Sequence, residues 1–240
     1  MKLLLSGYGK MGKTIEKIAL DRKHQVIHKL NQTPAKDQLK EVDVMIDFSI
    51  PDAAFNNAKT AIETQTPVVM GTTGWHSHFK QIEELIKNND SSFLYAANFS
   101  LGVNLFFQLN QSLAEIMKNH TDYKPYLSET HHKQKLDAPS GTAIHLANDL
   151  IDKGIVNYWH YPAKEALSGQ LPVDAYRKED VKGTHELTYE SKIDSIQIKH
   201  EAKTRDGFAL GAVIAAEWLY HKKTSGIFSM QNVLKDPIKF

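Results

Sequence analysis

Gly7-Tyr8-Gly9-Lys10-Met11-Gly12 follows directly on the apolar run Lys2 to Ser6 and leads into a helical pattern over Lys13 to Leu20. Strand, glycine-rich turn and helix in that order are what a dinucleotide-binding turn requires. Gly7 permits the sharp turn, and Gly12 lets helix and strand pack closely. Gly9 lets a pyrophosphate reach backbone N–H groups at the helix N-terminus, where the dipole favours an anion. The same turn can also be only structural, so its neighbours matter.

The next stretch keeps the rhythm. Gln25 to Leu30, Val42 to Asp47, Pro67 to Met70 and Phe93 to Ala96 read as strands, with helices over Ala53 to Thr64 and Phe79 to Asn88. Ser49 or Asp52 is expected to cap the first of these helices. Such alternation predicts α/β architecture, a Rossmann-like doubly wound parallel sheet, over residues 1–102. Beyond residue 102 the pattern changes. Phe106 to Lys118 and Thr142 to Lys153 are amphipathic helices. Glu186 to Ser191, Ser195 to Glu201 and Phe208 to Ile214 alternate, with Lys192-Ile193-Asp194 as a hairpin loop. This predicts an α+β domain over residues 103–214, with a mixed or antiparallel sheet for substrate binding and oligomerisation. Tyr158 to Lys182 reads as a long irregular loop. Ala212 to His221 is helical, and the tail from about residue 215 to 240 is expected to pack back on the first domain.

Composition excludes several function classes. A net charge of +1 over 240 residues gives no bulk attraction for nucleic acid or an anionic membrane. The absence of cysteine removes disulfides, thiol nucleophiles and thiolate metal sites. No apolar run approaches a membrane span, and the N-terminus lacks the pattern of a signal peptide. A soluble cytoplasmic protein is the expectation.

Candidate cofactor residues lie at the strand ends, where open parallel sheets bind ligands. They are Gly7, Tyr8, Gly9, Lys10, Met11 and Gly12, with Phe48 and Ser49 after the third strand and Gly71, Thr72 and Thr73 after the fourth. Ala97, Asn98 and Phe99 follow the fifth, where the pattern switches, and read as a hinge. The second strand ends His28-Lys29-Leu30-Asn31, without the carboxylate that would grip a ribose 2′-hydroxyl. Lys29 could meet a 2′-phosphate, so NADPH is expected to serve at least as well as NADH. Each loop could instead be ordinary turn chemistry.

The second cluster is Glu129-Thr130-His131-His132-Lys133-Gln134-Lys135-Leu136-Asp137-Ala138-Pro139-Ser140-Gly141-Thr142. Adjacent histidines on a strand point to opposite faces, so one of them can serve as an acid. Ser140, Gly141 and Thr142 open a helix whose free N–H groups and hydroxyls can cradle a carboxylate or phosphate. Ser140 or Thr142 could equally be a plain cap. No metal is expected: adjacent histidines lack the i, i+4 spacing of helical zinc ligands.

The run HHxxKxDAPSGTA resembles the signature of dihydrodipicolinate reductases, also called 4-hydroxy-tetrahydrodipicolinate reductases. Gly7–Gly12, Asp47-Phe48-Ser49, Gly71-Thr72-Thr73-Gly74 and Ala97-Asn98-Phe99-Ser100 fall in that family's order. The resemblance implies NAD(P)H-dependent reduction of a small cyclic dicarboxylate in the diaminopimelate and lysine pathway, by a homotetramer assembled through the second domain. By position it puts the catalytic acid on His131 and a substrate lysine on Lys135. It puts carboxylate contacts on His132, Ser140, Gly141 and Thr142, and the nicotinamide loop on Gly71, Thr72 and Thr73. Two readings stay open from the residues alone. One is a nicotinamide-linked reductase of another oxo- or imino-acid. The other is a non-catalytic NAD(P) sensor, which would have no need of the His131 cluster.

Overall fold

The structure is a computed structural model that describes residues 1–204 and 206–236. It forms two compact units. One comprises Met1–Leu101 with the described residues from Asp206 onward; the other runs from Gly102 to residue 204.

The first unit alternates β1 (Lys2–Ser6), α1 (Lys10–Asp21), β2 (Gln25–Leu30), a short α2 (Lys36–Leu39), β3 (Val44–Asp47), α3 (Pro51–Glu63), β4 (Val68–Met70), α4 (Phe79–Asn89) and β5 (Ser92–Tyr95). In the second unit α5 (Leu101–Met117) leads to β6 (Lys124–His131), α6 (Gly141–Asp152), β7 (Tyr158–His160), β8 (Gln170–Arg177), β9 (Thr184–Glu190) and β10 (Ser195–Glu201). The chain then returns to the first unit as α7 (Asp206–Lys222), β11 (Gly226–Phe228) and α8 (Met230–Lys235).

Six parallel strands in the order β11-β5-β4-β3-β1-β2 make the first sheet. Its strands are near-continuous apolar runs because helices cover both faces, and Leu3, Leu4, Leu5, Val44, Met45 and Ile46 are all buried. The order reverses at β1, which has β2 on one side and β3 on the other. At such a point the turns after neighbouring strands diverge and leave a crevice at the carboxyl edge. The turns after β1 and β3 meet at that point, and the turn after β4 lies next to them along the same edge. The cap expected from Ser49 or Asp52 is absent: Ile50 is the N-cap of α3, without a side-chain cap bond, and Pro51 fills the first helical position. Ser49 is occupied elsewhere, as shown below.

The second sheet, β10-β9-β6-β8-β7, is mixed: β6 lies parallel to β8 and antiparallel to β9. Leu127, Val173, Leu171, Leu187 and Tyr189 pack from it into one core with Leu146, Ala147 and Leu150 of α6. The loop expected over Tyr158 to Lys182 is corrected. It contains β7 and β8, whose alternating Leu171, Val173 and Ala175 are interrupted only by Pro172, which lies outside the β6 pairing.

The strand expected at Phe208 to Ile214 is also corrected. These residues belong to α7, and the chain therefore re-enters the first unit at Asp206 rather than near residue 215. α7 is apolar nearly all round because it is buried nearly all round: Ala209, Ala212, Val213, Ala215, Ala216, Trp218 and Leu219 all lie in the first unit's core. Gly211 allows the approach, since a Cβ there would sit 1.7 Å from the Phe99 carbonyl oxygen. The one buried acid on this helix, Glu217, accepts from Arg22 Nε and Nη2 at 2.7 and 2.8 Å and lies 2.7 Å from His24 Nε2. Among the described residues no helix is long and apolar enough to cross a membrane.

Gly211→Ala forces backbone apart and should cost about 3 kcal/mol or more, a fall in Tm of roughly 6–12 °C for a chain of this size. Thermal unfolding followed by circular dichroism measures it; an unchanged Tm would show that α7 does not depend on this close approach.

Candidate functional site

The glycine turn is built by close packing on two sides and left open on the third. Gly7 has φ +83°, and a Cβ there would meet the Phe48 carbonyl oxygen at 2.1 Å. A Cβ on Gly12 would meet the Gly7 carbonyl oxygen at 2.6 Å, whereas one on Gly9 would meet nothing within 4 Å. Gly9 is the N-cap of α1 and offers no side-chain cap, so the first N–H groups of the helix face that open space. Backbone donors, a helix dipole and a gap are the cradle a pyrophosphate needs, and the turn fits a dinucleotide on that ground. Lys10 is exposed beside it, while Met11 packs half-buried against the core.

Beneath the neighbouring loops lies Asp47, wholly buried at the end of β3. Its Oδ1 accepts from Ser49 N at 3.1 Å, Ser49 Oγ at 2.8 Å and Thr72 Oγ1 at 2.6 Å. Its Oδ2 accepts from Asn57 Nδ2 at 2.8 Å, and the same amide reaches Ser6 Oγ at 2.9 Å. One carboxylate thus ties the end of β3, the loop after β4 and helix α3 together, and Asn57 extends the network to the end of β1. The side chains of Ser49 and Thr72 are engaged in this support, which leaves backbone groups and the exposed Thr73 to face a ligand. Phe48 lies over Gly71, where a Cβ would come within 2.3 Å of its ring, and its centroid is 5.6 Å from that of Phe99. Phe99 is itself a core residue with 2% exposure, so its ring supports Phe48 and is not a ligand surface. Ala97 and Asn98 remain accessible on the same segment, with Asn98 Oδ1 accepting from Ser100 N at 2.8 Å.

Lys29 lies at the end of β2 as the sequence implied, but it is not alone. Its Nζ is 3.0 Å from Glu16 Oε1 and lies over the Tyr8 ring, and the Tyr8 hydroxyl donates to Glu16. The Tyr8 and Lys29 bonds hold the Glu16 carboxyl below its ordinary value, and Glu16 in turn raises Lys29. Tyr8 N donates to Asn31 Oδ1 at 2.7 Å, which closes the turn onto β2.

In the second unit the residues converge on Glu129. On β6, positions 129 and 131 share a face. The Glu129 side chain is fully buried, and Ser140 N donates to its Oε1 at 2.9 Å while Ser140 Oγ donates to Oε2. His131 Nε2 and His185 Nε2 lie 3.5 and 3.4 Å from Oε2, and Arg177 Nη1 lies 3.7 Å from Oε1. Burial alone would push this carboxyl up, but the groups of His131, His185 and Ser140 hold it well below the usual carboxylate range. Ser140 also caps α6, accepting from Ala143 N at 3.2 Å, so its two expected roles coexist. A Cβ on Gly141 would meet nothing within 4 Å, which leaves the α6 terminus open beside Thr142.

Lys135 Nζ is 2.8 Å from both carboxylate oxygens of Asp137. Arg177 holds that loop in place through the carbonyls of Lys135 and Asp137, at 3.2 and 2.6 Å. His132 does not join the Glu129 cluster; its Nδ1 is buried without a partner. The sequence reading missed His185, Arg177 and the roles of Glu129 and Asp47. Asp47 had a signal, a carboxylate closing an apolar strand, and Glu129 had only its place two residues before His131 on one strand face. His185 and Arg177 had none beyond being polar residues in strands. Among the described residues, Glu129, His131 and His185 are the one group whose donor atoms could together hold a metal ion.

Residues 1–99 match the family model for the dihydrodipicolinate reductase N-terminus, and residues 102–234 match that for the C-terminus. A 4-hydroxy-tetrahydrodipicolinate reductase from Christiangramia forsetii is 49% identical over 242 residues, covering 100% of both chains. One from Rickettsia rickettsii is 36% identical, covering 95% of each. In fold, the chain is similar to a dipicolinate-bound dihydrodipicolinate reductase from Paenisporosarcina sp. TG-14, with TM-score 0.76 at 19% identity, covering 97% of this chain and 99% of that one. With both family models and full-length relatives in agreement, the chain belongs to the dihydrodipicolinate reductase family, a family of NAD(P)H-dependent oxidoreductases.

Proposed function

We propose that the chain reduces 4-hydroxy-tetrahydrodipicolinate, or the dihydrodipicolinate it yields by loss of water, to tetrahydrodipicolinate, with His131 as general acid. The observation that carries the assignment of roles is the convergence of His131 on a buried carboxylate beside the open N-terminus of α6. NADPH or NADH, held on the backbone of Gly7–Gly12 and by the loops at Phe48–Ser49, Gly71–Thr73 and Ala97–Asn98, supplies the hydride when bound. The imidazolium of His131 supplies the proton, so that no carbanion or enamine has to persist. Lys135 and the N–H groups at Ser140, Gly141 and Thr142 hold the substrate carboxylates, with His132 beside them. The Asp137 carboxylate that now meets Lys135 marks the charge an incoming carboxylate replaces. Glu129 already sits behind the acid, so a small anion bound in front meets fixed positive partners.

Lys29 contributes to the choice of coenzyme, with Glu16 as the group a 2′-phosphate has to displace from it. Assembly is a homotetramer through the second unit. The support is the second sheet's other face, where the tyrosines Tyr126 and Tyr176 and the threonines Thr130 and Thr188 lie opposite the α6 side. The cytoplasm is the working compartment, in keeping with a cysteine-free chain and a diffusible reduced coenzyme.

The decisive assay is NADPH oxidation with the condensation product of pyruvate and aspartate semialdehyde, against NADPH alone. His131→Gln should lower kcat by about 10²–10⁴-fold while binding pyridine-2,6-dicarboxylate within a few-fold of the parent; unaltered turnover sinks the acid role. Lys29→Ala should raise KM for NADPH about tenfold, one lost charge-assisted contact, and leave NADH nearly untouched; equal effects on both coenzymes would remove Lys29 from the 2′-phosphate site. Light scattering should give about four times 27.1 kDa, and a monomer would refute the assembly.

A further inference from the structure

The cluster around Glu129 has a proton count that the general-acid role alone does not explain. His131 Nε2 and His185 Nε2 face each other at 3.3 Å, with Glu129 Oε2 close to both. Two N–H groups cannot point at one another, so where both Nε2 atoms carry hydrogen, the hydrogens are directed at Ser140 Oγ and Glu129 Oε2 and not along that line. His185 is the more buried ring, and its Nδ1 is enclosed without a hydrogen-bond partner. A charged His185 would have to bury an unsatisfied N–H there, and burial holds this imidazole below its usual value. Hydrogen-bond requirements therefore assign it as neutral with the proton on Nε2, where Ser140 Oγ at 3.2 Å can accept it. That oxygen is free to accept because its own hydrogen goes to Glu129.

The imidazolium of the proposed acid step is therefore His131 and not His185. Its Nε2 faces Glu129 and His185, while its Nδ1 makes no hydrogen bond and is absent from the buried polar atoms left without partners. Nδ1 is thus the ring nitrogen not committed to this cluster, and it lies beside Gly183, where a Cβ would come within 3.4 Å of it. We infer that Glu129 is the positioning residue of His131: its carboxylate takes the Nε2–H of the imidazolium, which leaves Nδ1–H as the proton the ring delivers. In that step the Nδ1–H bond breaks, its electron pair stays on Nδ1, and the proton forms the new bond on the reduced substrate. Neutral His131 keeps Nε2–H toward Glu129 and is recharged from solvent. The 3.5 Å between Nε2 and Oε2 exceeds a formed hydrogen bond; such contacts are commonly long before substrate binds and tighten afterwards. The charged and titratable groups of this cluster are Glu129 on the same strand as His131, His185 on β9, Arg177 on β8, and Lys135 with its partner Asp137 in the following loop. Glu129 is the anion beside the ring, whereas the Asp137 carboxylate is taken up by Lys135.

The inference rests on His131 being the acid, and the test separates the two. Glu129→Gln keeps an oxygen for the Ser140 N–H and loses the charge. It should lower kcat about 10–100-fold, leave substrate KM within a few-fold, and move the alkaline limb of the kcat–pH profile down by about one unit or more. Glu129→Asp, which keeps the charge, should hold that limb near the parent position even with reduced kcat. A merely structural role would lower Tm in both variants and move neither limb, and that result overturns the inference. Should Glu129→Gln fail to fold, 15N shifts of His131 in the histidine-labelled parent enzyme decide: Nε2–H in the neutral form is expected, and Nδ1–H overturns it. If His131→Gln loses turnover while Glu129→Gln keeps the parent profile, only the role of Glu129 falls. If His131→Gln retains turnover, the acid assignment itself is wrong.

Discussion

A carboxylate taken out of water costs several kcal/mol unless donors or cations surround it, and each unit carries such a group at the end of a strand. Asp47 is surrounded by neutral donors, from Ser49, Asn57 and Thr72, each on a different loop or helix. Any of these segments that drifts leaves a buried oxygen unpaired, so the loops of the dinucleotide turn are held as a set. Glu129 is surrounded differently, by a serine that donates twice and by the cations or potential cations His131, His185 and Arg177. The first arrangement fixes geometry. The second fixes geometry and also holds a charge, which suits a site that has to move a proton.

The same contrast explains what the sequence could reveal. The glycine turn was legible because its demands are local: Gly7 needs a positive φ, and Gly12 needs room within five residues. The run from Glu129 to Thr142 was legible because strand, loop and helix terminus are contiguous in the chain. His185 lies 54 residues from His131 and arrives through the antiparallel pairing of β9 with β6, which no local pattern announces. Arg177, one of three arginines, arrives on β8, hidden in a stretch whose glycine and prolines resemble a loop. α7 misled for a different reason. Burial on all sides erases the polar stripe by which a helix is recognised, and residues 208–214 then resemble a strand.

Several expected ligand residues turn out to support the site from behind. Thr72 and Ser49 spend their hydroxyls on Asp47, and Phe99 spends its ring on Phe48. Small polar residues at strand ends are selected as much for holding a loop rigid as for touching what it binds. Rigid loops matter here because misplacing reacting groups by an ångström costs orders of magnitude in rate.

The return of the chain through α7 and β11 also has a consequence for synthesis. β11 pairs with β5, and α7 with α8 supplies nearly half of the core that Leu3, Leu5, Ile15 and Val69 enter. The nascent N-terminal sheet therefore waits, with that face uncovered, while the intervening hundred or so residues are made, on the order of 5–20 s at ordinary translation rates. Throughout that interval an apolar face and the open edge at β5 are offered to whatever else is in the cell. A chain cut short after the second unit would have no way to close it, so residues 206–236 decide whether the first unit can complete its core.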